Sequence, residues 1–374
     1  MQAPSSQQIP DFEHIPEAVN AELERFFRQR DSDIAKLGDP VIAAVGHLER
    51  FVLGGGKRIR PLFGWAGFVG GAGLQNRSED PAAVLRAVTA LEFIQACALV
   101  HDDIIDASDT RRGNPTVHRS VEASHRAQGF RGNAEVFGIN AAILIGDLAL
   151  VWAEDMWRGS GVSTEALARA EGAWRGMRTE VIGGQILDIM LEAEGSESVD
   201  MADRVNRFKT AAYTIERPLH LGAALAGASD QVIEAFRGYG EDIGIAFQLR
   251  DDLLGVFGDS AVTGKPAGDD IREGKRTVLY ASALSLLDAA GSPDAATLRN
   301  GIGVASDPEH LRELARIIEQ SGAVDAVEER IEALTASGLA KLDAAELPEN
   351  VRENLRALAI NCLLYTSPSP RDRG

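Results

Sequence analysis

Residues 93–113 read FIQACALVHDDIIDASDTRRG, and this stretch indicates both the fold and the place of the chemistry. The apolar run at 93–100 has helical spacing and predicts a helix whose buried face leads into Asp102, Asp103 and Asp106. Residues three or four apart share a helix face, so these carboxylates are neighbours. They repel one another unless a cation neutralises them, and Mg²⁺ with a bound phosphate suits such ligands. A solvated acidic helix end is the alternative, but the apolar run favours an inward-facing group.

A second acidic pair, Asp251 and Asp252, follows another apolar helical run in GIAFQLRDDLLGVFGD at 244–259. One such pair is usually a helix surface, whereas two pairs after two apolar helices are far more specific. The repeated pattern predicts two acidic walls that face one cavity of a helical bundle. A metal-bridged diphosphate would fit between them.

The rest of the chain is typical of an all-α protein. From about residue 39 to residue 359, apolar residues recur at three and four positions, and Gly or Pro clusters separate the helical stretches. We find neither a fixed-period repeat nor a composition shift that marks a linker. The sequence predicts an N-terminal arm and first helix at 1–38, one domain at 39–360, and a tail at 361–374 that is non-native or disordered, because its Ser-Pro-Ser-Pro segment lacks helical periodicity.

Composition excludes several classes of protein. The chain has 374 residues and 45% hydrophobic content, enough for a large core without cross-links. Its two cysteines, Cys97 and Cys362, are too few for a disulfide framework and fit a reducing cytosol. A formal charge of -18 argues against binding to nucleic acid or to a membrane surface. The N-terminus has neither a basic start nor an apolar stretch, so we expect no membrane anchor and a cytoplasmic location.

Short basic clusters predict sites for small anions in spite of the acidic charge. GGGKRIRP at 54–61 places Lys57 and Arg60 in a Gly-rich turn before Pro61, a favoured first residue of a helix. Backbone N–H groups and side-chain charge in such a turn suit a diphosphate. It is not a Walker loop, because no Ser or Thr follows Lys57. A motif of this kind standing alone is more often a basic loop in solvent.

Other basic and polar residues follow the acidic and Gly-rich motifs: Arg111, Arg112, Lys209, Thr210, Lys265 and Lys275. Each one alone would be an ordinary surface residue. Together they carry more cationic charge than one diphosphate needs, so we expect two anionic substrates.

Six motifs, in order, resemble those of the trans-isoprenyl diphosphate synthases, or polyprenyl synthetases, over roughly residues 40–360. DDIID followed by RRG is similar to the family's first Asp-rich motif, and QLRDDLLGVFGD to its second. GGGKRIRP, GGQILDI, KTAAYT and TGKPAGDD lie where the family has substrate-binding segments. The resemblance implies a single-domain helical bundle of the isoprenoid synthase type with a central cavity, a homodimer, and condensation of isopentenyl diphosphate with an allylic diphosphate.

The resemblance also implies roles for individual residues. Magnesium, about three ions with substrate bound, would be held by Asp102, Asp103, Asp106 and Asp251, with Asp252 in support. The allylic diphosphate would contact Arg111, Lys209, Gln248, Lys265 and Lys275. Isopentenyl diphosphate would contact Lys57, Arg60, Gln95 and Arg112. Thr210 and Gln248 would shield the carbocation through their oxygens. The catalytic set would be Asp102, Asp103, Asp106, Arg111, Lys209, Thr210, Gln248 and Asp251.

Two more residues match and two positions depart from the family pattern. Gln185 and Asp188 in GGQILDI match positions that line the reaction cavity, although a helix-packing amide explains Gln185 equally well. The second motif reads DDLLG rather than DDxxD because Gly255 stands third, so its metal set is smaller or borrows Asp259. Gln95 stands where some relatives have His; it can hydrogen-bond a phosphate but cannot become cationic.

Product length is expected to depend on Cys97 and Ala98, five and four residues before Asp102. Family members that stop at fifteen carbons often carry aromatic rings at these places. Cys and Ala leave the floor of an apolar tunnel open, so we expect a product of twenty carbons or longer, with geranylgeranyl diphosphate favoured.

Two other functions are compatible with parts of the sequence. A class I terpene cyclase also ionises a diphosphate with Mg²⁺ in a helical cavity, but it has no need of GGGKRIRP and RRG. A non-catalytic regulatory subunit of a synthase would have lost ligands, whereas both Asp pairs and the cationic set are present here.

Overall fold

The computed structural model describes residues 10–258 and 267–364, without the side chains of Cys362 and Leu364. Most of these residues are helical, which confirms the predicted all-α fold. The one hairpin in the described residues pairs β1 (Thr110–Arg111) antiparallel with β2 (Asn114–Pro115).

The N-terminal helices follow a 3₁₀ turn at Phe12–His14 and are α1 (Ile15–Ala35), α2 (Asp39–Leu53), α3 (Ile59–Gly70), α4 (Gly73–Asn76), α5 (Pro81–Thr89), α6 (Leu91–Ile105), α7 (Val117–Ala127), α8 (Ala134–Arg158) and α9 (Thr164–Glu194). A π-helix at Asn206–Glu216 lies between α10 (Val199–Val205) and α11 (Arg217–Ala226). The remaining helices are α12 (Asp230–Phe257), α13 (Asp269–Glu273), α14 (Val278–Ala289), α15 (Asp294–Gly301), α16 (Pro308–Gln320), α17 (Ala323–Asp343) and α18 (Glu349–Leu364).

Both ends of the described chain are helical, and α1 lies within residues 1–38, the range predicted to hold an arm and a first helix. Helix α1 already begins at Ile15, whose side chain is fully buried, because apolar residues spaced by four give this helix one core-facing side. At the other end, α18 continues to Leu364, past the predicted boundary at residue 360, and buries Leu363. Residues 365–374 of the predicted tail lie outside the described residues.

The described residues divide into two compact units. Unit 1 comprises Met1–Trp174 and Pro218–Ile233, and unit 2 comprises Arg175–Arg217 and Glu234–Gly374. The prediction of one domain over residues 39–360 stays a prediction. The first Asp-rich motif belongs to unit 1 and the second to unit 2.

An aromatic cluster fixes helix α6 in unit 1. Phe26 and Phe27 of α1, Phe93 of α6 and Trp152 of α8 have ring centroids 5.0 to 6.5 Å apart, and all four side chains are buried. Rings at these distances pack edge to face, and each buried ring removes a large apolar area from water. The cluster therefore holds the first turns of α6, and so sets where its C-terminal acidic residues stand.

Close backbone contacts fix the helices of unit 2. A Cβ at Gly184 of α9 would lie 2.3 Å from the backbone nitrogen of Lys209, and one at Gly244 of α12 would lie 2.6 Å from Cα of Ala211. Since real Cβ atoms do not approach this closely, only glycine lets both helices pack against the π-helix. Gly184 of the motif GGQILDI and Gly244 of the motif GIAFQLRDD thus serve packing.

Two stretches, Pro81–Ile105 and Ala134–Arg158, reach the length and apolarity of a membrane span. The most apolar window of the first is 72% buried within the protein, as in a core helix, whereas that of the second is only 39% buried. Helix α8, which is the second stretch, therefore exposes an apolar face.

Candidate active site

The first acidic motif lies at the C-terminal end of α6. Asp102 and Asp103 stand in its last turn, and Asp106 caps it, with its backbone N–H donating to the carbonyl of Asp102 at 2.8 Å. Carboxylates are unfavourable here because the C-terminal end of a helix already carries partial negative charge. The motif thus needs positive charge from outside the helix.

Arg111 of the hairpin supplies part of that charge. Its Nε donates to Oδ1 of Asp103 at 2.7 Å, and its Nη2 donates to Oδ2 of Asp102 at 3.4 Å. Burial raises the pKa of Asp103 to about 6, against the opposing effect of Arg111 and with help from the charges of Asp102 and Asp106. Oδ2 of Asp103 is buried and makes no hydrogen bond to any described residue. A cation would satisfy that oxygen, so the motif fits a metal ion.

Arg112 belongs to a cationic group beside the Gly-rich loop. Its Nη1 donates to the carbonyl of Gly55 at 2.7 Å, and a Cβ at Gly56 would lie 3.3 Å from the same nitrogen. Burial lowers the pKa of Arg112, and the charge of Glu92 opposes this shift. The neighbouring guanidinium groups of Arg111, Arg58 and Arg60 lower the pKa further. A group of cations that disfavour one another is stabilised by a bound anion.

Gln95 of α6 and Arg112 line one narrow cavity, and their shared role in binding isopentenyl diphosphate stays a prediction. Arg60 is half-buried close to Arg112, and Lys57 is exposed on the Gly-rich loop. Helix α3 begins at Ile59, two residues before Pro61, so the expectation that Pro61 is the first helical residue is wrong. Arg60 is consequently a helical residue rather than part of the turn.

Sequence reasoning missed Arg58, which fixes this loop. Its side chain is buried and donates to the carbonyl of Val52 at 2.6 Å and to Oδ1 of Asn20 at 2.9 Å. It also forms a 2.5 Å ion pair with Glu92, which is itself 4% exposed. The signal was available, because an acidic residue in the apolar start of α6 requires a cationic partner.

The second acidic motif, in unit 2, lies on α12 and is built differently. Asp251 is exposed, whereas Asp252 is 3% exposed, and burial raises the pKa of Asp252 to about 8. Gln248 opposes this shift by donating from Nε2 to Oδ1 of Asp252 at 2.9 Å. Thr210 of the π-helix in turn donates from Oγ1 to Oε1 of Gln248 at 2.8 Å. Oδ2 of Asp252 is buried with no donor at hydrogen-bonding distance among the residues that the structure describes, although the side-chain amide of Asn206 lies near enough to lower the pKa of the Asp252 carboxyl.

The π-helix also carries Lys209, whose Nζ lies 2.5 Å from Oδ2 of Asp188 on α9. Thr210, Gln248 and Asp252 are therefore joined in one chain of hydrogen bonds, and Lys209 is oriented by a carboxylate of its own. Gln185 Nε2 is buried and has no hydrogen-bond partner in the described ranges, and its role in the reaction cavity stays a prediction. π-Helical turns are rare and frequently mark functional sites.

Other predicted residues give a mixed result. Lys275 lies 3.0 Å from Oε2 of Glu273 and 3.7 Å from Oδ1 of Asp270. Lys265 and Asp259 lie outside the described residues. Over residues 10–258 and 267–364, no three His, Cys, Asp or Glu side chains are already arranged to hold a metal.

The comparisons with known proteins agree with the motifs. A family model for polyprenyl synthetase matches residues 45–320. Geranylfarnesyl diphosphate synthase of Aeropyrum pernix is 36% identical over 283 residues, 74% of this chain and 79% of that protein. Geranylgeranyl diphosphate synthase of Mycobacterium tuberculosis is 33% identical over 251 residues, 66% of each chain.

A solved structure is similar along nearly the whole chain. It is a geranylgeranyl pyrophosphate synthase from Corynebacterium glutamicum, in complex with isoprenyl diphosphate and magnesium. The two chains are 60% identical with a TM-score of 0.92, over 95% of this chain and 100% of the other.

Proposed function

Because this chain belongs to the polyprenyl synthetase family, we propose that it condenses isopentenyl diphosphate with an allylic diphosphate to give a polyprenyl diphosphate of twenty carbons or more. Members of the family are prenyltransferases, so the chain is an enzyme of the trans-isoprenyl diphosphate synthase type. The observation that carries the proposal is that each Asp-rich motif contains a buried carboxylate oxygen without a hydrogen bond in the described residues, on Asp103 and on Asp252.

The residues of unit 1 would bind both substrates by charge. Arg112, Arg60, Lys57 and Gln95 would hold the diphosphate of isopentenyl diphosphate, since Arg112 is surrounded by other guanidinium groups that an anion would neutralise. Arg111 would turn from Asp103 and Asp102 toward the allylic diphosphate as a cation takes its place at the carboxylates. Binding would thus replace the two ion pairs of Arg111 with Asp102 and Asp103 by contacts of the carboxylates with the cation and of Arg111 with the diphosphate.

The residues of unit 2 would stabilise the leaving diphosphate and the allylic carbocation. Lys209, held by Asp188, would neutralise the departing anion. Thr210 donates its hydroxyl hydrogen to Gln248, so the lone pairs of its Oγ1 are left to face the allylic carbocation. The double bond of isopentenyl diphosphate then attacks the cation to form the new carbon–carbon bond. A proton leaves the adjacent carbon and is taken up by an oxygen of the released diphosphate.

Magnesium fits the acidic motifs by the chemistry of their donors. Asp102, Asp103 and Asp106 in one motif, and Asp251 with Asp252 in the other, would hold about three ions together with the allylic diphosphate. Bound Mg²⁺ would neutralise the charge that builds on the leaving diphosphate. The similar C. glutamicum enzyme was solved with magnesium and isoprenyl diphosphate, which supports the assignment.

The proposed product length follows from two small residues on α6. Cys97 is buried and Ala98 is half-buried, one turn before Asp102, and both side chains are small. Small side chains here would leave room for a chain that lengthens by five carbons at each addition. Relatives are named for farnesyl, geranylgeranyl and geranylfarnesyl products, so the small side chains of Cys97 and Ala98 are what favour twenty carbons or more, with geranylgeranyl diphosphate favoured.

The exposed face of α8 supports a homodimer. Val136, Ile143, Leu144 and Val151 are 50%, 42%, 68% and 57% exposed, and their spacing of seven and eight residues places them on one side of the helix. Exposed apolar patches of this kind mark interaction surfaces, and a second copy of the chain would cover this one. We place the dimer in the cytoplasm, in keeping with the acidic charge and the free thiol of Cys97.

Incubation with Mg²⁺, isopentenyl diphosphate and allylic starters of five, ten or fifteen carbons, followed by mass analysis, tests the proposed function. We expect linear polyprenyl diphosphates that form only when both substrates are present. Release of a cyclic hydrocarbon from a single diphosphate would identify a class I terpene cyclase instead. No turnover, together with stimulation of another synthase, would identify a regulatory subunit.

A further inference from the structure

The second Asp-rich motif lacks its third carboxylate, and a different residue occupies the space. Gly255 of α12 stands where a DDxxD motif has its last Asp. A Cβ at Gly255 would lie 2.0 Å from Oδ2 and 2.3 Å from Cγ of Asp270 on α13. Both residues belong to unit 2. The carboxylate of Asp270 therefore fills the volume that a side chain at residue 255 would take.

The surroundings of Asp270 hold it in this place. Its backbone carbonyl accepts a 3.0 Å hydrogen bond from the N–H of Lys275, and Gly274 has a φ of 80°, so the chain turns back tightly after α13. Asp269, the preceding residue, is buried and pairs instead with Arg272 of the same short helix. Of the two acidic residues in TGKPAGDD, only Asp270 contacts the position of Gly255.

An independent feature indicates a cation at the same motif. Asp252 is 3% exposed, and its Oδ2 has no hydrogen-bond partner in the described part of the chain. Residue 255 follows Asp251 by four positions and Asp252 by three on α12, so the Asp270 carboxylate that fills its place lies on their side of the helix.

We propose that Asp270 supplies the third carboxylate of the second acidic motif, so that a divalent cation bound at Asp251 and Asp252 takes Asp270 in place of the missing Asp at residue 255. The proposal rests on the function proposed above. Asp270 then takes the part that the sequence analysis gave to Asp259. Glycine is required at residue 255, because any side chain there would occupy the space of the Asp270 carboxylate.

An exchange of the two residues tests the proposal. Asp270→Asn removes the carboxylate with little change in shape, and Asp270→Gly with Gly255→Asp returns one carboxylate to the motif from the other side. Mn²⁺ binding, with and without inorganic diphosphate, is measured by electron paramagnetic resonance on each full-length variant. Glu273→Gln is the matched control, because Glu273 also pairs with Lys275 but does not contact Gly255.

We expect Asp270→Asn to weaken Mn²⁺ binding about tenfold or more and the exchanged double variant to recover most of it, while Glu273→Gln binds like the original protein. Unchanged Mn²⁺ binding by Asp270→Asn would overturn the proposal. In case a variant does not fold, the original protein crystallised with Mn²⁺ decides: an Asp270 oxygen within about 2.0–2.6 Å of the ion supports the proposal, and a greater distance contradicts it. Condensation by the original protein is assayed separately, so failure of the proposed function is distinguishable from failure of this inference.

Discussion

Replacing Gln248 with Ala removes the amide that donates to Asp252 at 2.9 Å. Hydrogen bonds to charged groups contribute about 1.5–3 kcal/mol, or roughly one to two pKa units. The pKa of Asp252 is already raised to about 8 by burial, and loss of the donor raises it further. At a pH of about 7.5 the ionised fraction of Asp252 would then fall by on the order of 10- to 100-fold.

The expected result is weaker metal activation that recovers at high pH. An acid whose pKa is raised is protonated below that pKa, so the fraction able to bind a cation increases with pH. At a given pH, the Gln248→Ala variant should need more Mg²⁺ than the original protein to reach half of its maximal activity. This difference should become smaller as the pH rises. Thr210→Val is the control in the Mn²⁺-binding measurement alone, because it removes the hydroxyl that donates to Gln248 and leaves the contact with Asp252 in place.

The assay follows condensation at several Mg²⁺ concentrations between about pH 6 and 10, with direct Mn²⁺ binding as a readout independent of turnover. If Gln248→Ala lowers activity equally at every pH and leaves Mn²⁺ binding unchanged, then Gln248 does not act through Asp252 and the reasoning is refuted.

Three further predictions concern unit 1. Ala98→Phe should shorten the main product by at least one five-carbon unit in mass analysis, and an unchanged length would contradict the tunnel-floor assignment. Arg58→Ala leaves the buried carboxylate of Glu92 without its ion-pair partner, so urea unfolding should show a loss of about 3–5 kcal/mol, and a loss below about 1 kcal/mol would show that the pair is unimportant. Leu144→Asp should convert a dimer into monomers in sedimentation analysis. The control, Val304→Asp, changes an exposed position in unit 2 and should leave the dimer intact. A monomeric or membrane-bound original protein would contradict the assignment of α8 to a dimer interface.

The sequence predicted the helices and motifs correctly where periodicity and residue type are sufficient. Helix α6 ends in Asp102 and Asp103 as expected, because an apolar run of helical spacing has one face to bury. The π-helix over KTAAYT was not predicted, since a shift of one residue in hydrogen bonding leaves the apolar pattern almost unchanged.

Burial of individual carboxylates was beyond reach of the sequence. Asp251 and Asp252 are adjacent and chemically identical, yet one is exposed and the other is buried, because α12 packs only one of them inward. In the same way, the sequence KRIR does not show which of its basic residues is structural. Arg58 is the structural one because its partners, Asn20 and Glu92, come from α1 and α6. The place of Asp270 beside Gly255 depends on the path of the chain between α12 and α13.

A crystal structure with Mg²⁺ and an unreactive thiol analogue of an allylic diphosphate tests most directly whether both Asp-rich motifs serve one substrate. We predict one analogue whose diphosphate carries Mg²⁺ ligated by Asp102 and Mg²⁺ ligated by Asp251. A diphosphate and metal bound by one motif alone, with the other motif free of both, would contradict the account.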